Sequence, residues 1–352
     1  MIVGDNGVEA SSSVIDVRAG ICGKCASNRD GFCSHGFPID PKIRFGQAQC
    51  PENQWEKILR PVMISFPMKL TSEVDYYAEF FRENGISPFL RRGLMRMELD
   101  GESPVMSWHS SLLYEIEAPV VHAENGLLGQ STGMYVDRKG VFSDSSICED
   151  FRKPADEEKR KLKSHLQEMG INYLSGPNSD GLVLLALQMR KDNGYRNYCS
   201  YDDPVSVMIN ECSKVFGDRL VVRPHPLDQR ASDGHSVNLD SLDPIGPRLN
   251  KFSAIVTANS TVAVESLAAG VPVATFGTGT FTGHGITLDC SESPEKLSGI
   301  LDFSPEQESV VSYLCACFRR HIVYAEGICG VSENEVMQGF VRDCLKWRGP
   351  DV

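Results

Sequence analysis

Three groups of residues have types and spacings that can do chemistry. The first is Arg223-Pro224-His225-Pro226, directly after the apolar pair Val221-Val222. Prolines here forbid a helix and remove two backbone donors, so the segment reads as a stiff corner beyond a strand end. In open α/β sheets ligands bind at such ends. Arg223 and His225 would there meet an anion. The second group is Asn259-Ser260-Thr261, between the apolar run at 254–257 and the helix-like VAVESLAA at 262–269. Backbone N–H groups, hydroxyls and the positive end of a helix dipole converge at such a turn, which suits phosphate. An ordinary N-cap explains the same residues. Glu265, one turn into that helix, either accepts ribose hydroxyls or faces solvent. The third group is Cys22, Cys25, Cys33 and Cys50, in a segment rich in Gly, Pro and Cys. A C-x-x-C knuckle plus two later thiolates suits a structural zinc in a module without its own core, with His35 able to replace one ligand. Free thiols are the alternative. Four thiolates leave no open position, so no catalytic metal is expected.

The elements that must position these groups alternate. RPVMISFPM reads as a strand and TSEVDYYAEFFRENG as a helix stopped by Gly85. APVVHAENG is a short strand ending in polar residues, and DEEKRKLKSHLQEMG is a charged helix ended by Gly170. A second block opens at GLVLLALQM and continues through a helix capped by Asp202 or Asp203. It then runs through DRLVVRPHP, LNKFSAIVTANS, a helix ended by Gly270, and VPVATFG. Alternating strands and helices predict parallel sheets. The expected organisation is a lead-in at 1–17, the Cys-rich module at 18–56, one Rossmann-like domain at 57–175 and a second at 176–303. Helices are expected over 304–352, including SPEQESVVSYLCACFRRHIVYAEG.

Composition sets limits on function. The chain has 352 residues, 23% charged and 41% hydrophobic, with a net charge of −12. That balance is globular and argues against a surface built mainly for phosphate backbone. No apolar run reaches the ~18–20 residues of a membrane span, and MIVGDNGVEASSS lacks the pattern of a leader, so a cytoplasmic protein is expected. The chain holds 12 cysteines, and those outside the module read mostly as small buried hydrophobes.

Four ordered stretches resemble one known family. VTANSTVAVESLAAGVPVATFGTGTFTGHGITLD resembles the donor-binding half of the capsule-polysaccharide β-Kdo transferases. VRPHP resembles that family's His-Pro motif. HAENGLLGQSTGMYVDRKGVFSDSS resembles its Glu-Asp-Gly segment, and LLALQMRKDNGYRNY its Gln-x-x-x-Asp motif. The resemblance spans 121–290 and leaves 1–56 uncovered. It implies a GT-B glycosyltransferase, with two Rossmann-like domains facing across a cleft, that uses CMP-Kdo as donor and retains the anomeric configuration. It also implies donor-phosphate contacts at His225, Ser260 and Thr261, an acid/base at Glu124 and a nucleophile at Asp192. Gln188, Asn259, Glu265 and His284 fall in the same donor motifs. The residues allow these roles, because two carboxylates can run retaining transfer and Arg223, His225 and a helix N-terminus can neutralise the leaving phosphate. Turn chemistry alone also accounts for Glu124 before Asn125-Gly126 and for Asp192 before Asn193-Gly194. Three departures bear on the donor pocket: Asn125 for the usual Asp, His284 for Trp, and Val264-Glu265-Ser266-Leu267 for Phe-Glu-Ala-Leu.

The expected partners are a nucleotide-sugar donor and a glycan acceptor. One alternative is a phage-type transferase acting on modified bases in DNA, which the basic stretches at 152–163 and 319–320 favour weakly. Another is a non-catalytic nucleotide- and partner-binding module.

Overall fold

The computed structural model describes residues 28–29, 32–33, 62–66, 77, 79–86, 88–92, 104–108, 118–129, 133–190, 193–228, 232–325 and 328–347. Two compact units emerge. The first comprises Met1–Val121, Val331–Glu333 and Met337–Val352; the second comprises His122–Gly330 and Asn334–Val336.

In the first unit, β1 (Asn28–Arg29) and β2 (Phe32–Cys33) form a short antiparallel pair. Cys22, Cys25 and Cys50 lie outside the described residues, as does the side chain of Cys33. β3 (Val62–Phe66), β4 (Pro88–Arg92) and β5 (Val105–Trp108) are parallel, with β3 between the other two. The helix expected before Gly85 is present over its described residues and stops where Gly85 takes φ +76°. That conformation is free for glycine and costly for other residues. Phe81 from this helix packs edge-on against Phe340 of the C-terminal helix Glu335–Lys346, centroids 5.9 Å apart.

The second unit contains every candidate site residue except the four cysteines of the N-terminal module. It starts with β6 (Val120–Asn125), β7 (Gly133–Asp137) and helix α1 (Asp156–Glu168). β8 (Leu182–Ala186), α2 (Asn193–Tyr198), α3 (Pro204–Phe216), β9 (Leu220–Arg223) and β10 (Asn238–Leu239) follow. Then come β11 (Phe252–Thr257), α4 (Val262–Ala269), β12 (Val273–Thr275), β13 (Leu288–Asp289), α5 (Gln307–Arg319), β14 (His321–Ala325) and β15 (Ile328–Cys329).

Six of these strands form a parallel sheet in the order β10-β9-β8-β11-β12-β13. The chain starts at β8, builds outward on one side, then crosses to β11 and builds on the other. The order therefore reverses between β8 and β11, where sheets of this kind open a crevice. All six residues of β11 are buried. Period-2 alternation sends Val183, Leu185, Ala254 and Val256 into one core with Met208 and Ile209 of α3. Leu184 and Ile255 enter the opposite core with Leu267 of α4 and Leu314 of α5. Asp203 caps α3 by accepting from Ser206 N at 3.2 Å, and Gly270 closes α4 at φ +78°. Cys212, Cys290, Cys315, Cys317 and Cys344 are buried, as composition suggested.

The sequence suggests a boundary near 175. In the structure, Leu174 N donates to Ala268 O at 2.8 Å and Gly176 N to Ala269 O at 3.0 Å, so both sides of residue 175 share the second unit.

One expectation fails in the tail. The helix expected over 304–327 ends at Arg319, and His321–Ala325 is a strand, antiparallel to β7 in the order β15-β14-β7-β6. Its Ile-Val-Tyr core favours a pleated surface, and β7 offers an edge to pair with. The turn between α5 and β14 is fixed by charge. Asp137 is fully buried and accepts from Lys139 N (2.7 Å), Ser146 N (3.0 Å) and Arg320 Nε (3.0 Å). Burial pushes its pKa up, but the N–H groups of Lys139, Ser146 and Gly140 and the Arg320 guanidinium outweigh that and hold it below the usual carboxylate range. Asp150 accepts from both Arg319 and Arg320, at 2.9 and 2.7 Å. The basic pair 319–320, read as weak support for a DNA acceptor, is thus buried against carboxylates.

Candidate active site

The crevice lies at the carboxyl ends of β9, β8 and β11, whose last residues Arg223, Ala186 and Thr257 are in register. Its floor is wired in advance. Thr257 Oγ1 donates to Ala186 O at 2.9 Å. Asn259 N donates to Gln188 Oε1 at 3.1 Å, and Gln188 N donates to Tyr195 OH at 2.8 Å. Asn259 Nδ2 reaches Gly194 O at 3.3 Å and Thr278 O at 3.1 Å. Its Oδ1 is buried with no hydrogen-bond partner among the described residues. Such an atom costs free energy unless a ligand or water supplies a donor. The 276–282 loop approaches closely because Gly277 has no side chain: a Cβ there would lie 2.6 Å from Cys199 Sγ and 2.8 Å from Tyr198 O.

The two halves of VRPHP part company. The Arg223 side chain is only 10% exposed, and it turns away from the corner. NH1 meets Asp240 Oδ2 at 3.0 Å and Ser241 O, and NH2 meets Asp243 O at 2.8 Å. Asp240 is shared with Arg248. Burial pushes the Asp240 pKa up, but hydrogen bonds from Arg248 and Arg223 hold it below the usual range. Arg223 therefore braces the corner, whereas the sequence led us to expect it to meet an anion directly. Its charge still acts on the crevice, opposing the effect of burial on Glu265, whose pKa that burial pushes up to about 7.

His225 remains at the mouth, half-buried. Leu227 N donates to its Nδ1 at 3.1 Å. A backbone N–H can only donate, so Nδ1 is the acceptor and the neutral ring carries its proton on Nε2. The corner is held further by the His225–Asp228 bridge, and Asp228 Oδ2 accepts from Arg190 N at 2.9 Å. Sequence reasoning missed Asp228, three residues after the histidine. It also missed Tyr195 and Thr278, which hold Gln188 and Asn259.

Opposite, Ser260 and Thr261 enter α4 half-buried, and Ser260 Oγ accepts from Val262 N at 3.3 Å. Glu265 follows on the same helix. Gln188, His225, Asn259, Ser260, Thr261 and Glu265 thus gather at three adjacent strand ends. His284 packs among aromatic rings, 4.4 Å from Phe151 and 6.4 Å from Tyr313, and burial lowers its pKa. Asp192 lies outside the described residues.

Glu124, next to last in β6, stands in a cross-strand row with Tyr135 and His321, so the three share one face of the sheet. Its Oε1 accepts from Asn125 N at 2.8 Å and Asn125 Nδ2 at 3.0 Å. Asn125 thereby orients the carboxylate rather than merely forming a turn. Gly126 is required for space: a Cβ would lie 2.5 Å from His321 Cε1 and 2.7 Å from Gly129 O.

Residues 150–307 match a family model described as capsule polysaccharide biosynthesis protein. Comparison with curated protein sequences finds no match. Among solved structures, the chain is similar to the β-Kdo 2,7 transferase of Thermosulfurimonas dismutans KpsC. That match has 16% identity and a TM-score of 0.54, covering 81% of this chain and 99% of that one. The β-Kdo 2,4 transferase of the same protein gives 15% identity and a TM-score of 0.55, covering 80% and 98%. At these identities the structural matches speak to the fold. Together with the family model they bear out the resemblance to capsule polysaccharide Kdo transferase-like proteins.

Proposed function

We propose that this chain is a glycosyltransferase of the GT-B type, moving a sugar from a nucleotide-activated donor to a glycan acceptor in capsule polysaccharide synthesis. The observation that carries this reading is the crevice itself. A histidine with its proton on Nε2 follows the end of β9, and a hydroxyl-rich helix N-terminus follows the end of β11, two strand ends separated only by β8 at the point where the sheet order reverses. That is a phosphate cradle needing no metal, since both partners stabilise the negative charge that develops on a leaving nucleotide. Glu265 fits a ribose, because a carboxylate that ionises only near pH 7 accepts hydroxyls as it gains charge.

The finer reading names CMP-Kdo or a close relative as donor, with retention. In that scheme Asp192 attacks the anomeric carbon. The bond to the donor phosphate breaks, and its electron pair leaves with the nucleotide, held by His225 and the start of α4. Glu124 then takes the proton of an acceptor hydroxyl, which displaces Asp192 from the sugar. Two inversions give net retention. Asn125 supports this role by fixing Glu124 Oε1.

The test is hydrolysis of CMP-Kdo, UDP-sugars and GDP-sugars by the full chain, followed by NMR of the anomeric product. Release of CMP that falls at least 100-fold in Asp192→Ala and His225→Ala supports the reading. Release of UDP or GDP alone would overturn the donor and leave the enzyme class.

A further inference from the structure

A cavity of about 550 Å³ opens in the second unit, between α1, the 173–174 segment and the first turn of α5. Its lining is basic: Lys153, Lys159, Arg160 and Lys163 stand against one carboxylate, Glu308. This concentration of cations is unusual in a chain of net charge −12. The existing ion pairs are weak holders. Lys153 is 3.8 Å from Glu308, with side chains 81% and 68% exposed, Lys159 is 3.3 Å from Asp156, and Arg160 pairs with the exposed Glu157. Exposed pairs of this kind contribute roughly 0–1 kcal/mol and give way to a better-placed anion. Lys163 has no ion pair among the described residues. Pro154, Tyr173, Leu174 and Val311 add apolar and aromatic wall. Leu174 is the one non-glycine residue with positive φ among the described residues, at 51°. Its N–H is pinned to Ala268 O, so the wall is held in a conformation its own backbone disfavours.

We propose that this cavity binds an acidic oligosaccharide, through its carboxylate or phosphate groups, separately from the strand-end crevice. The volume falls within the range of small-ligand sites, roughly 300–1,000 Å³. Cations at the rim with an aromatic and aliphatic wall suit sugar rings bearing negative charge. A nucleic-acid backbone needs an extended cationic track, and the neighbouring Arg319 and Arg320 are already bound to Asp150 and Asp137. A membrane surface needs exposed apolar anchors, and no exposed large hydrophobic among the described residues lines this cavity. The choice of a glycan rests on the function proposed above.

The experiment is calorimetric titration of the full chain with trigalacturonate, maltotriose and inorganic phosphate, repeated on Arg160→Glu/Lys163→Glu. Both substitutions are on exposed positions, and melting temperature checks the fold. The expected result is binding of trigalacturonate, no binding of maltotriose, at least a 10-fold loss in the double variant, and an unchanged melting shift with CMP. Absence of trigalacturonate binding, equal affinity for maltotriose, or undiminished affinity in the double variant would overturn the inference. So would capture of phosphatidylglycerol vesicles or of an oligonucleotide in its place. If trigalacturonate binds through these residues while no nucleotide shifts the melting temperature, the cavity assignment stands and the proposed transferase falls.

Discussion

Two polar clusters in the second unit use similar residues and end in opposite states. Around Asp137 the oxygens are saturated with donors from Lys139, Gly140, Ser145, Ser146 and Arg320. At the strand-end crevice, by contrast, Asn259 keeps a buried oxygen without a partner and Glu265 is driven toward neutrality. The first cluster joins β7 to the end of α5 and has nothing left to offer a ligand. The second keeps polar capacity open where the sheet order reverses. On the proposed function, the open capacity at the crevice is what a donor would fill.

That comparison can be broken from either side. The largest effect expected is on stability. Asp137→Ala takes the acceptor from the buried Arg320 Nε and from the N–H groups of Lys139 and Ser146, leaving Asp150 as the one carboxylate on Arg320, and should cost about 3–5 kcal/mol in denaturant unfolding. His225→Ala should leave the melting temperature nearly unchanged while donor hydrolysis falls about 10²–10³-fold. A large loss of stability in His225→Ala would place the corner with the structural cluster. Arg223→Ala should behave as a brace. It should lose roughly 1.5–3 kcal/mol of stability, as expected for hydrogen bonds to charged groups, with a smaller loss of nucleotide affinity than His225→Ala.

The smallest effects are in pH dependence, and they have opposite signs. Asp137 and Asp240 have depressed folded pKa values, so their stabilisation is present above the unfolded value near ~4 and is lost as pH falls through the folded one. Glu265 is raised to about 7. Its contribution is present below the unfolded value near ~4.3 and is lost as pH rises through the folded one. Glu265→Gln should therefore melt higher relative to the parent at pH 8 than at pH 5. No pH dependence in that difference would remove Glu265 from the crevice account.

Much of the site was legible because it is local. Val221–Pro226 and Ala254–Gly270 declare a strand, a corner and a helix within one window, and the structure has them there. Gly85, Gly170 and Gly270 stop helices as read, each at positive φ. What was not legible is pairing at long range. Arg223 looked like a ligand group because its partners, Asp240 to Asp243, lie 17–20 residues downstream. Arg319 and Arg320 looked available to a DNA backbone because their acids precede them by more than 150 residues. The strand at His321–Ala325 was hidden in a helix-like run, and only the β7 edge decides it. Gly126 read as turn chemistry, yet the space it leaves is filled by the His321 ring.

The most direct test of the central claim is a melting-temperature titration of the full chain and of His225→Ala with CMP, UDP and GDP at pH 7.5. Binding to the folded state alone raises the melting temperature with occupancy. The account predicts a saturable rise with one nucleotide, CMP on the finer reading, that shrinks sharply in His225→Ala. A rise with no nucleotide, or one that His225→Ala leaves intact, would contradict the assignment of the crevice to a donor phosphate.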